Sequence, residues 1–357
     1  MHAAPKLSVV IPTLNEADHL PALLDDLRAQ TLAVEIVVAD GGSQDATCAE
    51  VERRGLGVVR GAKGRGVQMN AGAERSHGEI LLFLHADSRL AGAMQLETAL
   101  TAFEAERASS PVLVAGHFAL RFDRTGPTAD ALFRFMEAKT RSGRRGTING
   151  DQGLMLARSD FEALGGFDTR LPFLEDQRIA EQIFANGRWV LLPGELRTSA
   201  RRFETEGHRR RYALMALMMV MHELGIEEFF QVAPQVYAAQ GSAQPLRLEP
   251  FLDLARQMFW KHMRRDAGAF RRLGRYVRGN AWQLGLMADI ARGGERSVWR
   301  DRVDRSVASL LDRPGLNLIS DFVAASLAAG LVLGLAPRVE RLAWRYSARL
   351  RGSGPSQ

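Results

Sequence analysis

Three short apolar segments of the chain are each followed by polar residues or glycines able to form a ligand site. Pro12, Thr13, Asn15 and Glu16 follow residues 7–11. Asp40 ends residues 34–40 and Gly42 comes shortly after it, and His85, Ala86 and Asp87 follow residues 80–84. An unbroken apolar run bounded by polar residues is typical of a strand buried on both faces. In open parallel sheets, ligands bind beyond the carboxyl ends of the strands. We therefore expect the three groups to meet at one edge of a sheet.

The third group has the chemistry of a metal site. His85 and Asp87 are two positions apart, and such residues point to the same face of an extended chain. Mg²⁺ prefers oxygen ligands and often takes only one or two carboxylates, with phosphate and water completing its shell. An imidazole ligand suits Mn²⁺ better. Asp87 is thus predicted to hold a divalent metal, Mn or Mg, on a diphosphate. His85 would bind the metal, orient Asp87 or bond to the phosphate, and the residues leave these three roles open.

The second group is suited to a nucleotide. Glycines let a ligand approach the backbone closely, and a helix N-terminus after them favours an anion. An acid at a strand end, such as Asp40, can accept a hydrogen bond from a base or a ribose. Each group also has a structural explanation, because Asn15 or Glu16 can cap a helix and the Asp40 segment can form a simple turn. Their coincidence on one sheet edge favours a binding site.

A glycine-rich segment with two basic residues, "GAKGRGVQMNAG" (61–72), precedes another helical pattern. Its order of residues differs from that of the phosphate-binding P-loop. We predict that Lys63 and Arg65 hold phosphate and that Gln68 or Asn70 contacts the nucleotide.

Further acids and arginines occur in the second hundred residues. Glu175 and Asp176 open a helical pattern, where adjacent residues diverge by about 100°, so only one of them can point into a cleft. A positioned carboxylate can act as a general base toward an acceptor hydroxyl, although an acid in a first helical turn can also simply complement the helix dipole. Asp151, Arg144 and Arg145 are candidates for contacts with an acceptor or a phosphate, and solvation of the two arginines stays equally open.

The elements that must position these residues alternate along the chain. The patterns predict strands over residues 7–11, 34–40, 80–84 and 112–122, helices over 16–30, 43–55 and 66–76, and a short strand followed by a helix over 150–167. The helix over 43–55 has a Ser/Asp cap signal at its start and Gly55 at its end. Strand–helix alternation with short connections indicates a parallel α/β sheet.

Composition limits the class of protein. With 357 residues, 46% hydrophobic and 25% charged, the chain suits one large or two modest globular domains. The net charge of +6 suits an anionic partner such as a phosphorylated small molecule, a nucleic acid or a lipid surface. The single cysteine, Cys48, excludes an internal disulfide and a cysteine-cluster metal site. The N-terminal residues show no signal-peptide pattern, so we expect a cytoplasmic location, with the inner face of the membrane as an alternative.

Seven segments, in this order, resemble the family 2 glycosyltransferases with the GT-A fold. They are "SVVIPTLNEADHLPALLDDL", "EIVVADGGSQDAT", "GRGVQMNAG", "EILLFLHADSRL", "GDQGLMLAR", "GGFD" and "FLEDQRIAEQI", within residues 6–205. The resemblance implies an α/β fold with a Rossmann-like, mostly parallel sheet. It also implies inverting, metal-assisted transfer of a sugar from a nucleotide-diphospho-sugar, most commonly a UDP-sugar, to a small-molecule or lipid hydroxyl. "LHAD", "QMNAG", "GDQ" and "TSARR" are similar to a bacterial subgroup associated with arsenosugar biosynthesis and radical-SAM genes.

The resemblance also implies roles for individual residues. Pro12, Thr13 and Glu16 would line the nucleotide pocket, and Asp40 would contact the base. Asp87 matches the last acid of the family's Asp-x-Asp metal motif.

The match is imperfect at the first position of that motif, where this chain has His85. Asp176 matches the second acid of the family's Glu-Asp pair, which is the general base in inverting members. Arg201 and Arg202 fall where many members have a Gln-x-x-Arg-Trp element near the leaving diphosphate, but the Gln is missing and Phe203 replaces the Trp.

Two other functions have to be weighed. A sugar-phosphate nucleotidylyltransferase would carry a glycine-rich segment with a basic residue directly after the first strand, where this chain has "PTLNEA". A non-catalytic nucleotide-sugar-binding protein is disfavoured by the presence of Asp87 and Asp176 and favoured by His85. No nucleic acid partner is expected.

The character of the chain changes after residue 205, where arginine-rich helical patterns replace strand patterns. We predict a GT-A domain over residues 1–210 and a helical region over 211–357 that associates with a membrane or dimerises. Residues 322–336 are apolar but fall short of the ~20 residues that span a bilayer, so a buried, an interfacial or re-entrant and a spanning helix all stay open. Residues 338–351 predict a basic amphipathic helix that lies on anionic lipid or packs on its own domain.

Overall fold

The structure is a computed structural model that describes residues 5–125, 130–170, 172–240, 245–266, 268–293, 298–311 and 316–330, with 334, 336 and 338. The Cα positions form two compact units. One consists of residues up to 125 together with 136–200, and the other consists of residues 130–135 together with those from 201 onward. The first unit contains the sheet, and the second is helical.

One mixed sheet contains the eight strands found in the described part of the chain, in the order β3-β2-β1-β4-β7-β6-β8-β5. The strands are β1 (Leu7–Thr13), β2 (Glu35–Asp40), β3 (Val58–Arg60), β4 (Ile80–Phe83), β5 (Ser88–Leu90), β6 (Leu113–Asp123), β7 (Leu154–Ala157) and β8 (Gly187–Ser199). β1 pairs in parallel with β2 and β4, β2 pairs in parallel with β3, and β6 pairs in parallel with β8. Every residue of β1 is buried, as its unbroken apolar sequence predicts.

β7 pairs antiparallel with both β4 and β6, which makes the mostly parallel sheet a mixed one. Phe83 at the end of β4 pairs with Leu154 at the start of β7. The 3₁₀ turn Gly150–Gln152, which precedes β7, therefore lies at the same sheet edge as the residues that follow β4. This topology brings Asp151 next to the segment that carries Asp87.

The helices of the sheet-containing part are α1 (Leu20–Arg28), α2 (Thr47–Arg53), α3 (Arg65–Arg75), α4 (Gln95–Ala108), α5 (Asp130–Thr140), α6 (Arg158–Ala163) and α7 (Glu175–Asn186). α1 and α2 begin four residues later than predicted. No side chain caps the start of α2, and the carboxylate of Asp45 accepts a hydrogen bond from the Thr47 N–H (3.0 Å) in a local turn. α3 packs directly on β1, because a Cβ atom on Gly72 would lie 2.4 Å from Val10 Cγ1.

The second unit contains α8 (Arg201–Glu206), α9 (His208–Glu223), α10 (Glu227–Ala238), α11 (Glu249–Met263), α12 (Ala269–Gly279), α13 (Trp282–Ala291), α14 (Val298–Leu311) and α15 (Leu316–Ala329). Phe229, Phe230, Phe251 and Phe259 are buried in its core. Among the described residues, no helix combines the length and the apolar character needed to cross a membrane. The predicted basic helix over 338–351 lies outside the described residues except for Arg338.

Candidate functional site

Asp40 and Thr13 form the centre of one half of the site. They end β2 and β1 as register partners, and both are buried. The carboxylate of Asp40 accepts hydrogen bonds from the Thr13 hydroxyl (3.1 Å), from the Gly42 and Ser43 N–H groups (2.9 Å each) and from the Ser43 hydroxyl. Burial alone would raise the pKa of Asp40, but these bonds outweigh it and lower the pKa. Asp40 therefore shapes the glycine turn as a carboxylate, and its contact with a base stays a prediction.

The loops after β1 and β2 are fastened to each other. Asn15, in a left-handed conformation (φ 56°), donates its N–H to Ser43 Oγ (2.8 Å) and accepts the Gln44 N–H on its side chain (2.8 Å). The Glu16 N–H donates to Thr47 Oγ1 (2.8 Å). The two loops are thus fixed relative to each other by hydrogen bonds of their own residues.

The two amides of α3 are bonded to the backbone. Gln68 Nε2 donates to the carbonyls of Thr13 (2.6 Å) and Ala39 (2.9 Å), which ties α3 to the ends of β1 and β2. Asn70 bonds through its amide to both the carbonyl and the N–H of Phe167 (2.9 Å each). Their predicted contact with a nucleotide gains no support from these bonds, because both residues already have a structural role.

An acidic cluster with one arginine forms the other half of the site. Arg65 Nη1 lies 3.0 Å from Glu175 Oε1, and the Glu175 side chain is buried. Burial and the nearby Asp176 charge raise the pKa of Glu175, against the opposing effect of Arg65. Burial, followed by the charges of Asp176 and Asp87, raises the pKa of Asp151 to about 7. Asp151 Oδ1 is also buried without a hydrogen-bond partner among the described residues.

Asp176 is held in place by backbone N–H groups. Its Oδ2 accepts a hydrogen bond from Gly150 and its Oδ1 accepts one from Gln177, both at 2.8 Å. The absence of a side chain at position 150 is required, because a Cβ atom there would lie 2.9 Å from His85 Nε2 and 3.4 Å from Asp176 Cβ. His85 and Asp176 therefore flank the same turn.

A small cavity borders this acid. It has a volume of about 20 Å³ and is lined by Gly150 and Asp176 and otherwise mainly by apolar residues such as Met69, Ile179 and Trp189. Apolar side chains therefore pack against one side of Asp176, and close packing of this kind restricts the movement of a side chain.

The remaining predicted residues differ in their burial and contacts. Pro12 is buried in β1 and Ala86 is buried between His85 and Asp87, whereas Lys63 is exposed in the loop before α3. The Arg145 guanidinium lies 5.8 Å from the centre of the Phe184 ring, and the carbonyl of Arg144 accepts the Thr147 N–H in a turn. Arg201 and Arg202 begin α8 in the helical unit.

The donor set fits a hard divalent cation only in part. Within the described residues, no group of three or more histidine, cysteine, aspartate or glutamate side chains is arranged to hold a metal. The cluster does contain an unsatisfied carboxylate oxygen on Asp151 and a nearby charge on Asp87. One or two protein carboxylates are enough for Mg²⁺ when phosphate and water supply the other ligands. The residues are therefore compatible with a metal that arrives together with a diphosphate.

Comparison with known proteins defines the class. Residues 8–164 match the family model described as Glycosyl transferase family 2. A PGL/p-HBAD biosynthesis glycosyltransferase of Mycobacterium bovis is 43% identical over 96 residues, which cover 25% of this chain and 38% of that protein. An uncharacterized glycosyltransferase of Mycobacterium tuberculosis is 26% identical over 238 residues, covering 63% of this chain and 86% of that protein.

Among solved structures, a mannosyltransferase from Pyrobaculum calidifontis in complex with GDP-Man and Mn²⁺ is similar with a TM-score of 0.47 and 18% identity, over 92% of this chain and 87% of that one. The sheet, its helices and the family match together define a GT-A fold followed by a helical C-terminal region. Over residues 8–164, the match to the glycosyltransferase family 2 model confirms the resemblance seen in the sequence. The finer subgroup stays a prediction.

Proposed function

We propose that this protein transfers a sugar from a nucleotide-diphospho-sugar to a hydroxyl acceptor, with inversion at the anomeric carbon. The observation that carries the proposal is the Asp176 carboxylate, which two backbone N–H groups hold beside Asp151 and His85 at the strand ends. A carboxylate fixed in this way is suited to accept a proton from an attacking hydroxyl.

The proposed reaction has one chemical step. The acceptor oxygen attacks the anomeric carbon, the bond from that carbon to the diphosphate oxygen breaks, and the electron pair leaves with the nucleoside diphosphate. Asp176 takes the acceptor proton. Glu175 is a positioning residue that holds the Arg65 guanidinium by an ion pair of 3.0 Å, and Arg65 binds phosphate, for which a guanidinium has the right geometry.

A divalent ion, Mn²⁺ or Mg²⁺, would be held by Asp87 and His85 and would neutralise charge on the diphosphate when bound. Asp151 lies in the same cluster. Its Oδ1, which has no hydrogen-bond partner among the described residues, can accept a hydrogen bond from the acceptor or contact the divalent ion on the diphosphate. Pro12, Thr13, Glu16 and Asp40 would form the nucleoside side.

The donor class is best tested on a panel of nucleotide-sugars that begins with UDP-sugars and includes GDP-mannose, with and without Mn²⁺. Asp176→Asn should lower transfer or donor hydrolysis by about 100-fold or more, because the amide cannot accept the proton, while thermal shifts by the nucleotide remain. Glu162→Gln, an exposed acid in α6, is the matched control. Full activity of Asp176→Asn would refute the base assignment.

The same panel separates the rival functions. A nucleotidylyltransferase would consume a sugar phosphate and a nucleoside triphosphate and release pyrophosphate. A binding protein would give thermal shifts without turnover of any donor. Either result would overturn the proposed transfer activity.

A further inference from the structure

α15 has its polar face inward and its apolar face outward. Asp321 and Ala325, one turn apart, are 1% and 0% exposed. The rest of the helix surface carries large apolar side chains that are between 48% and 70% exposed, namely Leu318, Ile319, Phe322, Val323 and Leu327. A helix at the surface of a globular protein normally buries its apolar stripe. We call the five exposed side chains the α15 apolar face.

The orientation of α15 is fixed by its contacts with α12. Asp321 accepts a hydrogen bond from Arg278 Nε (2.9 Å), and Arg271 Nε lies 3.9 Å away. The helices touch at Gly274, where a Cβ atom would lie 1.8 Å from the Asp321 carbonyl oxygen. Turning α15 over would leave Arg278 half-buried without its acid, which is costly. The α15 apolar face therefore stays outward.

Arginines lie on the two helices that pack against α15. α12 carries four arginines and no acid, and Arg271 and Arg275 are exposed. α14 also packs against α15, and on α14 the Trp299 ring lies between the guanidinium groups of Arg292 and Arg302, at 4.9 and 5.0 Å. An exposed apolar stripe next to arginines and a half-exposed tryptophan is the composition of helices that lie in a membrane interface.

We propose that the α15 apolar face, together with the exposed Arg271 and Arg275 of α12, docks on a bilayer that contains anionic lipids. The apolar side chains enter the boundary of the acyl chains, and the arginines contact lipid phosphates. A second copy of the chain is a poorer partner for this surface. A symmetric dimer presents the same patch from both subunits, so α12 arginines would face α12 arginines, and like charges oppose such contact.

The test uses the full chain and vesicles of phosphatidylcholine with or without phosphatidylglycerol, in a flotation assay without donor or acceptor. The wild type should float with the anionic vesicles, and binding should weaken as NaCl is raised. Phe322→Ser with Leu327→Ser should weaken binding by about tenfold or more, because each change removes apolar surface that enters the lipid. Arg275→Glu should weaken binding to anionic vesicles.

The control is Met94→Ser with Val112→Ser, which removes side chains that are 62% and 48% exposed in the other unit. This variant should float like the wild type. Circular dichroism and thermal melting verify that all variants are folded. Absence of flotation by the wild type would overturn the proposal, as would undiminished flotation of the α15 variant. A dimer seen by light scattering that the α15 substitutions dissociate would instead assign the face to a second copy. Because no sugar transfer is measured, failure of the proposed enzymatic activity leaves this test unaffected.

Discussion

Asp87, Asp151 and Asp176 share one end of the sheet, and their charges act on one another. Burial, and then repulsion by Asp176 and Asp87, raise the pKa of Asp151 to about 7, and the charge of Arg65 opposes this rise. A site with excess buried acid binds cations more readily than one with balanced charges. The acids thus provide a physical reason for metal-linked nucleotide binding.

The role of Asp87 can be measured separately from catalysis. Asp87→Asn should weaken Mn²⁺-dependent binding of the nucleoside diphosphate by at least about tenfold, because the amide is a poorer ligand for the cation. Nucleotide binding in the presence of chelator should change little. Titration calorimetry with and without Mn²⁺ measures both, and Glu74→Gln, an exposed acid of α3, provides the control. Unchanged Mn²⁺ dependence in Asp87→Asn would remove this residue from the proposed metal site.

Asp151 should make stability depend on pH. Its pKa rises from 3.8 in the unfolded chain to about 7 in the folded one, so the folded state binds the proton more tightly. Its contribution to stability is therefore lost as pH rises from about 4 to about 7. Relative to wild type, Asp151→Asn should gain free energy of unfolding across this window.

The measurement is urea denaturation at a series of pH values in chelator, and Glu162→Gln is the control. A constant difference between Asp151→Asn and wild type at all pH values would contradict the raised pKa of Asp151.

The sequence pointed to Asp40 and Asp87 because each stands at the end of a predicted strand, to Asp176 because it begins a helical pattern, and to Asp151 because it lies on a glycine-flanked turn. The pairing of Arg65 with Glu175 could not be predicted from the sequence, because these residues are 110 positions apart and no local pattern links them. Gln68 was expected at a nucleotide, but its amide holds two strand ends together. From the sequence alone, a polar residue that binds a ligand cannot be told from one that bonds to the protein's own backbone.

At the scale of elements, the close packing of helix α3 on strand β1 positions side chains of the site. Gly72 lets the helix approach the strand closely enough for Gln68 to reach the carbonyls of Thr13 and Ala39. The order of strands and helices up to residue 84 follows from apolar periodicity except for β3, a strand of three residues that the sequence patterns did not predict. The direction of β7 does not, because a short apolar strand reads the same whether it pairs in parallel or antiparallel.

The contact at Gly72 can be tested by adding one methyl group. Gly72→Ala should lower the free energy of unfolding by about 1–3 kcal/mol, because the new atom overlaps Val10 and forces α3 away from β1. Donor affinity should also fall if Gln68 loses its bonds. Gly61→Ala is the matched control, since nothing lies within 4 Å of a Cβ atom at that position. Urea denaturation that shows equal stability for both variants would contradict the close packing.

At the scale of the whole molecule, each unit contains a buried acid that is paired with an arginine of the same unit. In the sheet-containing unit this is Glu175 with Arg65, and in the helical unit it is Asp321 with Arg278. The shift from strand to helix patterns after residue 205 was readable from the sequence. The outward orientation of the α15 apolar face could not be predicted from the sequence, because it depends on an ion pair between residues 43 positions apart.

Replacement of Asp321 tests how much its ion pair with Arg278 stabilises the helical unit. Asp321→Ala should cost about 3–5 kcal/mol in the free energy of unfolding, because it breaks the buried ion pair between Asp321 and Arg278. Asp301→Ala removes an acid that is 57% exposed and paired with Arg300 at 3.2 Å, and it should cost no more than about 1 kcal/mol. Thermal and urea melts monitored by circular dichroism compare the two. Equal losses in both variants would contradict the buried role of Asp321.

The pairing of β5 with β8 has a consequence for the order in which the protein can fold during synthesis. Asp87 immediately precedes β5, and residues 88–90 pair with residues 196–198 of β8. A nascent chain that ends at residue 164 already contains the whole family 2 match, yet it lacks the strand that frames Asp87. Because domains fold as units during translation, the ribosome has to pass residue 199 before this acid acquires its final position.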